Sequence, residues 1–188
     1  MHRLPTAGYE CCPPIKFFLK YFNVRVLAEL SKVTVTYSEV EDRICMSALV
    51  KEGDTVVFWL TYRLCSRLIP ALTGHLERTV SRSALVDMGL LLACQQRDAE
   101  WQHEPSEPVR LSGASLVVLP ERVDLSCSAD SVILQFLIGD GEMSKLQMSM
   151  LEVRQWLAIV HRQFEHAGWP MQVWPEWFTE TEHGPGRN

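Results

Sequence analysis

Two stretches of the chain carry the same order of apolar and polar positions. At an offset of 88 residues, Val33–Glu77 falls on Glu121–Glu165 without a gap. The apolar run Ile44–Val50 falls on Val132–Ile138. The loop Lys51-Glu52-Gly53-Asp54 falls on Gly139-Asp140-Gly141-Glu142. An acid–Gly–acid turn between apolar runs is a hairpin signal. Upstream, Val35, Ser38 and Asp42 match Val123, Ser126 and Asp130. Only six of the 45 aligned positions are identical, so the argument rests on the shared pattern of turns and stripes. That pattern predicts a duplicated structural unit.

The downstream part of each copy has helical spacing. Cys65, Leu68, Ile69, Leu72 and Leu76 form one apolar stripe, and their counterparts are Val153, Trp156, Leu157, Val160 and Phe164. Thr61 and Ser149 stand at the N-cap positions, where a hydroxyl accepts from a free backbone N–H. Pro70 breaks the parallel, because Ala158 stands opposite it. A proline that deep either kinks the first helix or marks its true first turn, which would displace the Thr61 cap.

Each copy therefore reads strand, strand, strand, helix. The strands fall near 33–38, 44–50 and 55–60, then near 122–127, 131–138 and 143–148. Ser115–Leu119 adds a strand before the second set, ending at Pro120. Val24–Leu30 is its candidate counterpart, after a short helix or irregular start over 15–21 that follows Pro13-Pro14. Between the copies, Ser83–Trp101 is dense in apolar residues from Ala84 to Cys94, which predicts a helix buried on more than one side. Gln95–Pro108 is polar and acidic and reads as a linker, and Thr179–Asn188 as a frayed tail.

The expected fold class is α+β: two related antiparallel β-sheet plus helix units, tandem βββα or ββββα, joined by an apolar connecting helix. The segments are 15–82 for the first unit, 83–108 for the connecting helix and linker, 109–178 for the second unit with a Trp-rich arm, and 179–188 for the tail. With four strands before each helix, this topology resembles the Whirly and Pur-alpha fold group. That resemblance implies binding of single-stranded nucleic acid on sheet faces.

Composition narrows the classes of function. The chain has 188 residues, 47% hydrophobic and 22% charged, which excludes collagen-like and wholly disordered readings. The formal charge of −5 removes the simplest argument for nucleic-acid binding. Its distribution changes that picture. The 95–108 linker carries −3 and the 176–188 tail −2, so the remaining chain is neutral and 61–82 is locally +3. The first residues contain no apolar core of a signal peptide, and no apolar run reaches the ~20 residues that span a bilayer. The reading is a cytoplasmic protein without membrane contact.

Chemistry-bearing motifs are few. Cys45, Cys65, Cys94 and Cys127 sit among or beside apolar residues and are expected as buried thiols. Cys11-Cys12 has no supporting ligand pattern. None of the six histidines has zinc-site spacing, and His75 falls on the polar side of its helix. No nucleophile elbow, phosphate loop or dinucleotide fingerprint occurs. No catalytic residue, cofactor or metal ligand is assigned.

Two groups of residues remain as candidates. Arg63 and Arg67 lie one turn apart, while Lys16, Lys20 and Arg25 interleave with aromatics. Together they are candidate contacts for an anion or nucleic acid, since basic plus aromatic composition suits a stacking groove. Lysines snorkelling along an amphipathic segment give the same composition. Trp169, Trp174, Trp177 and Phe178 are candidate interface anchors, in an arm that packs on the protein itself or on a partner. The leading expectation is a non-enzymatic interaction or adaptor protein, with a protein partner or self-association through the arm or the Ala84–Cys94 helix. Single-stranded nucleic-acid binding comes second, and an enzyme with a composite cleft third.

Overall fold

The computed structural model describes residues 25–51, 53–80, 87–110, 116–138 and 142–179, with backbone alone at 25–28 and 142. The expected start over 15–21, Lys16, Lys20, the Cys11-Cys12 pair and the tail beyond 179 lie outside the described residues. The elements run β1 (Arg25–Ser38), β2 (Arg43–Val50), β3 (Thr55–Leu60), α1 (Tyr62–Thr79), α2 (Met88–Trp101), β4 (Leu116–Val118), β5 (Arg122–Cys127), β6 (Ser131–Ile138), β7 (Glu142–Ser149), α3 (Met150–Ala167) and α4 (Glu176–Thr179). This is an α+β fold. α2 lies within the Ser83–Trp101 segment expected as the connecting helix, and its second half, Gln95–Trp101, overlaps the 95–108 stretch read as linker.

All seven strands join in one mixed sheet, in the order β4-β3-β2-β1-β7-β6-β5. The expectation of separate antiparallel sheets is corrected by two parallel pairings, β1 with β7 and β3 with β4. β1 keeps its hairpin with β2 over Leu30–Ser38, and its start runs on to pair with β7, while β4 pairs with β3. The registers of the two parallel pairings correspond. Ala28, Glu29 and Leu30 face Ser144, Lys145 and Leu146, while Leu116, Val117 and Val118 face Val56, Val57 and Phe58. Each pairing maps onto the other under the 88-residue shift.

The hairpins agree less closely. Ile44↔Leu60 becomes Val132↔Met148 under that shift, and that pair is observed. Thr34↔Ser47 would become Arg122↔Gln135, whereas Arg122 faces Leu137. The slip is two residues, which keeps every side chain on its own face of the sheet.

Seven strands about 4.8 Å apart would hold the edges of a flat sheet about 29 Å apart. The edge strands β4 and β5 are nevertheless consecutive in the chain, joined only by Leu119-Pro120-Glu121. Four residue steps reach about 14 Å at most, so the sheet must curl to bring its edges together. β1 makes the equivalent bend without breaking, through an irregularity between Leu30 and Lys32. The 88-residue shift places Leu119-Pro120 at that point. Pro120 has no N–H to continue a ladder, so the chain there divides into β4 and β5.

The inner face of the curl is filled by helices. Cys65, Leu68, Ile69, Leu72 and Leu76 of α1 are all buried, as are Val153, Trp156, Leu157, Val160 and Phe164 of α3. Phe58 and Phe136 meet from β3 and β6 with ring centroids 4.8 Å apart. Fully burying each such side chain contributes about 1.5–3 kcal/mol. The caps form as expected. Thr61 accepts from the Leu64 N–H at 3.2 Å. Ser149 and Glu152 satisfy each other's backbone N–H in a capping box. The opposite sheet face is covered over β1 and β2, where the Val109 N–H donates to Thr34 Oγ1 at 2.9 Å. That strap accounts for the unbroken burial of Ile44–Ala48 on both faces of β2.

α1 continues through Pro70 to Thr79, with Thr61 as its cap. Pro70 leaves one backbone carbonyl without its helical donor, and its ring is exposed. The Pro70→Ala variant is expected to gain about 1–3 kcal/mol, because proline in a helix interior costs about 3 kcal/mol against alanine. Urea unfolding of both proteins measures this. An unchanged or lower midpoint would show that the proline fits a local geometry alanine does not improve.

Candidate functional site

Among the basic candidates, Arg63 and Arg67 are exposed on the first turns of α1, and no hydrogen bond or ion pair holds them among the described residues. Arg67 borders a groove of about 200 Å³ between α1 and β5, together with Leu64, Leu68 and Arg122. Arg122 is held by Asp124 through a pair of contacts at 2.8 and 2.9 Å. Arg25 opens β1, its backbone facing Glu142 of β7. Of the five basic candidates, Lys16 and Lys20 lie outside the described residues and Arg25 is described by its backbone alone.

The four aromatic candidates are buried within their own chain, at 8% exposure for Trp169, 6% for Trp174, 7% for Trp177 and 2% for Phe178. The arm starts at Gly168, whose φ of +62° ends α3 in the left-handed conformation that favours glycine. Trp169 then packs edge-on to Tyr37, Tyr62 and Phe164. Its indole N–H donates to Asp42 Oδ1 at 2.9 Å. Trp174 and Phe178 pack against His161, and the Trp177 indole donates to Glu77 Oε1 at 2.9 Å. The arm thus ties the β1–β2 turn, α3 and α1 together.

α2 differs from its expected burial. Leu92, Ala93, Gln96 and Ala99 form its buried face. On the other side Leu90 is 61% exposed and Trp101 84%, with Cys94 and Arg97 between them also exposed. Among the described residues the helix is therefore covered on one face, where it packs on α3 and α4. The apolar density of 84–94 did not indicate which residues face out.

The inward face is polar. Gln96 is fully buried, and its amide donates to Glu100 Oε1 at 2.9 Å and to the Arg154 carbonyl at 3.0 Å. Arg154 is 7% exposed and donates through Nη2 to Gln95 Oε1 at 2.6 Å, while Nη1 has no partner. Burial alone pulls its pKa down to about 10, so it stays charged at neutral pH. Arg154 was not singled out in the sequence. Its signal is a second row on α3, Met150–Arg154–Ala158–His161, whose last three members are buried.

The cysteine expectation holds for Cys45 and Cys65, and burial pushes the Cys65 thiol up to about 12. It fails for Cys94, on the outer face of α2, and for Cys127, at the end of edge strand β5, both exposed. His75 is not on a solvated side. It is 8% exposed, with Nε2 3.0 Å from the Ser128 carbonyl. Among the described residues no three His, Cys, Asp or Glu side chains group as metal ligands. No described helix is long and apolar enough to cross a membrane.

No protein-family model, curated protein or solved structure matches this chain. The topological resemblance to the Whirly and Pur-alpha group therefore gains no support from a structural neighbour.

Asp42 sits in the β1–β2 turn at φ +47° and accepts from both Trp169 and the Tyr37 hydroxyl. These hydrogen bonds, from Trp169 first, hold its pKa below the ordinary aspartate value. The stabilisation is present above the unfolded pKa of about 3.9 and is lost as pH falls through the lower folded value. Asp42→Ala is expected to be less stable than the wild type at neutral pH, with the difference shrinking below about pH 4. Urea titrations followed by tryptophan fluorescence measure it. A difference that persists undiminished in acid would show that the carboxylate charge does not hold the arm.

Proposed function

We propose that the protein is a non-enzymatic interaction module that docks through the outer face of α2, and that a second copy of the chain fits this face. The observation that carries the reading is the exposure of Trp101 and Leu90 on one side of the helix. Tryptophan anchors are enriched where interfaces bury them. The arm that was the other candidate is already buried on its own chain.

The exposed stripe supports a two-fold partner. Leu90, Cys94, Arg97 and Trp101 are spaced four, three and four residues apart, which reads the same in both directions. Two antiparallel α2 helices would set Leu90 of each against Trp101 of the other, and Cys94 against Arg97. Such self-complementarity is what a two-fold interface requires. One helix face is well below the ~800 Å² per partner of a standard interface, so the association is expected to be weak and concentration-dependent.

We also propose that the chain is a duplicated unit. β2 and β6, and α1 and α3, have bounds related by the same 88-residue shift, and the two parallel pairings obey it as well. A module built by joining two equivalent halves through such pairings is itself a fused pseudo-dimer, in keeping with an assembly role.

One observation favours a second reading, nucleic-acid binding: Arg63 and Arg67 are exposed on α1 without ion pairs among the described residues. It predicts binding of a fluorescent single-stranded oligonucleotide at low salt, weakened by added salt and by Arg63→Ala/Arg67→Ala. No binding at low salt would sink it.

For the leading reading, sedimentation velocity over a concentration series is expected to show a monomer–dimer equilibrium. Leu90→Ser/Trp101→Ser should shift it to monomer. A short bis-maleimide should link Cys94 to Cys94 in the wild type and lose that product in the double variant. A monomer at every concentration, or a dimer indifferent to the substitutions, would overturn it.

A further inference from the structure

Beside the inward face of α2 lies a cavity of about 440 Å³, lined by Thr79, Val80, Leu91, Gln95, Met150 and Arg154. Its size is within the range of small-molecule sites, and its walls combine apolar side chains with a few polar groups, as such sites do. Among the described lining residues the charged one is Arg154, buried and with Nη1 unpartnered by any of them.

A buried guanidinium normally faces a carboxylate, because an uncompensated interior charge is costly. Here no carboxylate among the described residues forms an ion pair with Arg154. Glu100 takes its hydrogen bond from Gln96, and Glu152 is occupied in the α3 capping box. The C-terminal end of α1 contributes Thr79 and Val80 to the wall, but a helix C-terminus offers only about half a negative charge. Gln95, the one side-chain partner of Arg154 among the described residues, is neutral and lines the same cavity.

We propose that this cavity is a binding site for a small organic monocarboxylate, its carboxylate paired with Arg154 and its hydrocarbon body against Val80, Leu91 and Met150. One cation matches one negative charge. A dianionic phosphate would bring one negative charge more than Arg154 can match. The planar guanidinium fork suits the two oxygens of a carboxylate. The site does not depend on self-association, and its failure would leave that reading standing.

The test uses the full chain and hexanoate as the probe. Titration calorimetry is expected to show saturable binding, with a matching rise in melting temperature. Arg154→Gln should weaken binding by about tenfold or more, as expected for loss of a charge-assisted pair. Arg154→Lys should fall between the two. Hexanol and inorganic phosphate at matched ionic strength should not bind saturably. Absence of saturable hexanoate binding would overturn the proposal. So would equal affinity in folded Arg154→Gln, or equal binding of hexanol or phosphate. If circular dichroism shows Arg154→Gln unfolded, Leu91→Trp decides. It keeps the arginine and fills the cavity, so unchanged hexanoate binding to that variant would overturn the site.

Discussion

The parallel pairing of β1 with β7, answered by that of β3 with β4, is the constraint on which the rest of the molecule depends. β1 pairs with β2 along Leu30–Ser38 and with β7 along Arg25–Leu30, while β4 pairs with β3, so strands far apart in the chain are joined into one sheet. These pairings also explain the curl. β4 and β5 belong to one half and are separated by three residues, yet they occupy opposite edges of the sheet order. Only a sheet bent back on itself satisfies both conditions. Once it is bent, its concave side is a cavity that α1 and α3 must fill, and their apolar stripes match that task residue by residue.

The second half of the architecture is a set of ties across the curl. The arm after Gly168 crosses from the β1–β2 turn to α1, held at one end by the Trp169–Asp42 hydrogen bond and at the other by Trp177–Glu77. The 102–110 segment straps the opposite face through Val109. Sealing both sides in this way leaves little of the β1–β2 surface for a ligand. It therefore moves the search for function from the sheet to the helices, and to α2 in particular.

The periodic parts of this arrangement were legible in the sequence. The two caps, the two helical stripes and the strands at 44–50 and 131–138 depend on local pattern, and local pattern is what sequence carries. The pairing partners were not legible. A strand such as Val24–Leu30 reads the same whether it joins its own hairpin or another. Parallel pairing leaves no turn signal, because its partners lie far apart in the chain. Cys94 and Arg154 were misplaced or missed for a related reason. In a helix with apolar residues on every side, the facing of each residue is set by neighbours rather than by spacing. Trp101 falls both at the end of the Ser83–Trp101 helix and in the 95–108 stretch, and its acidic neighbourhood hid it as an exposed anchor.

α2 is the element where pattern and placement diverge most, and that divergence has physical content. A surface helix that served only to cover α3 would be most stable with its leucines and tryptophan turned inward and its glutamines in water. This helix buries Gln96 completely, opposite a charged arginine, and leaves Leu90 and Trp101 in solvent. Both choices cost stability in an isolated chain: one buries polar groups that lack full hydrogen bonding, and the other forgoes apolar burial. A bound carboxylate would offset the first cost, and a second helix the second. The two proposals thus address opposite faces of one helix. Each supplies a group that the isolated chain lacks, and neither requires the other to hold.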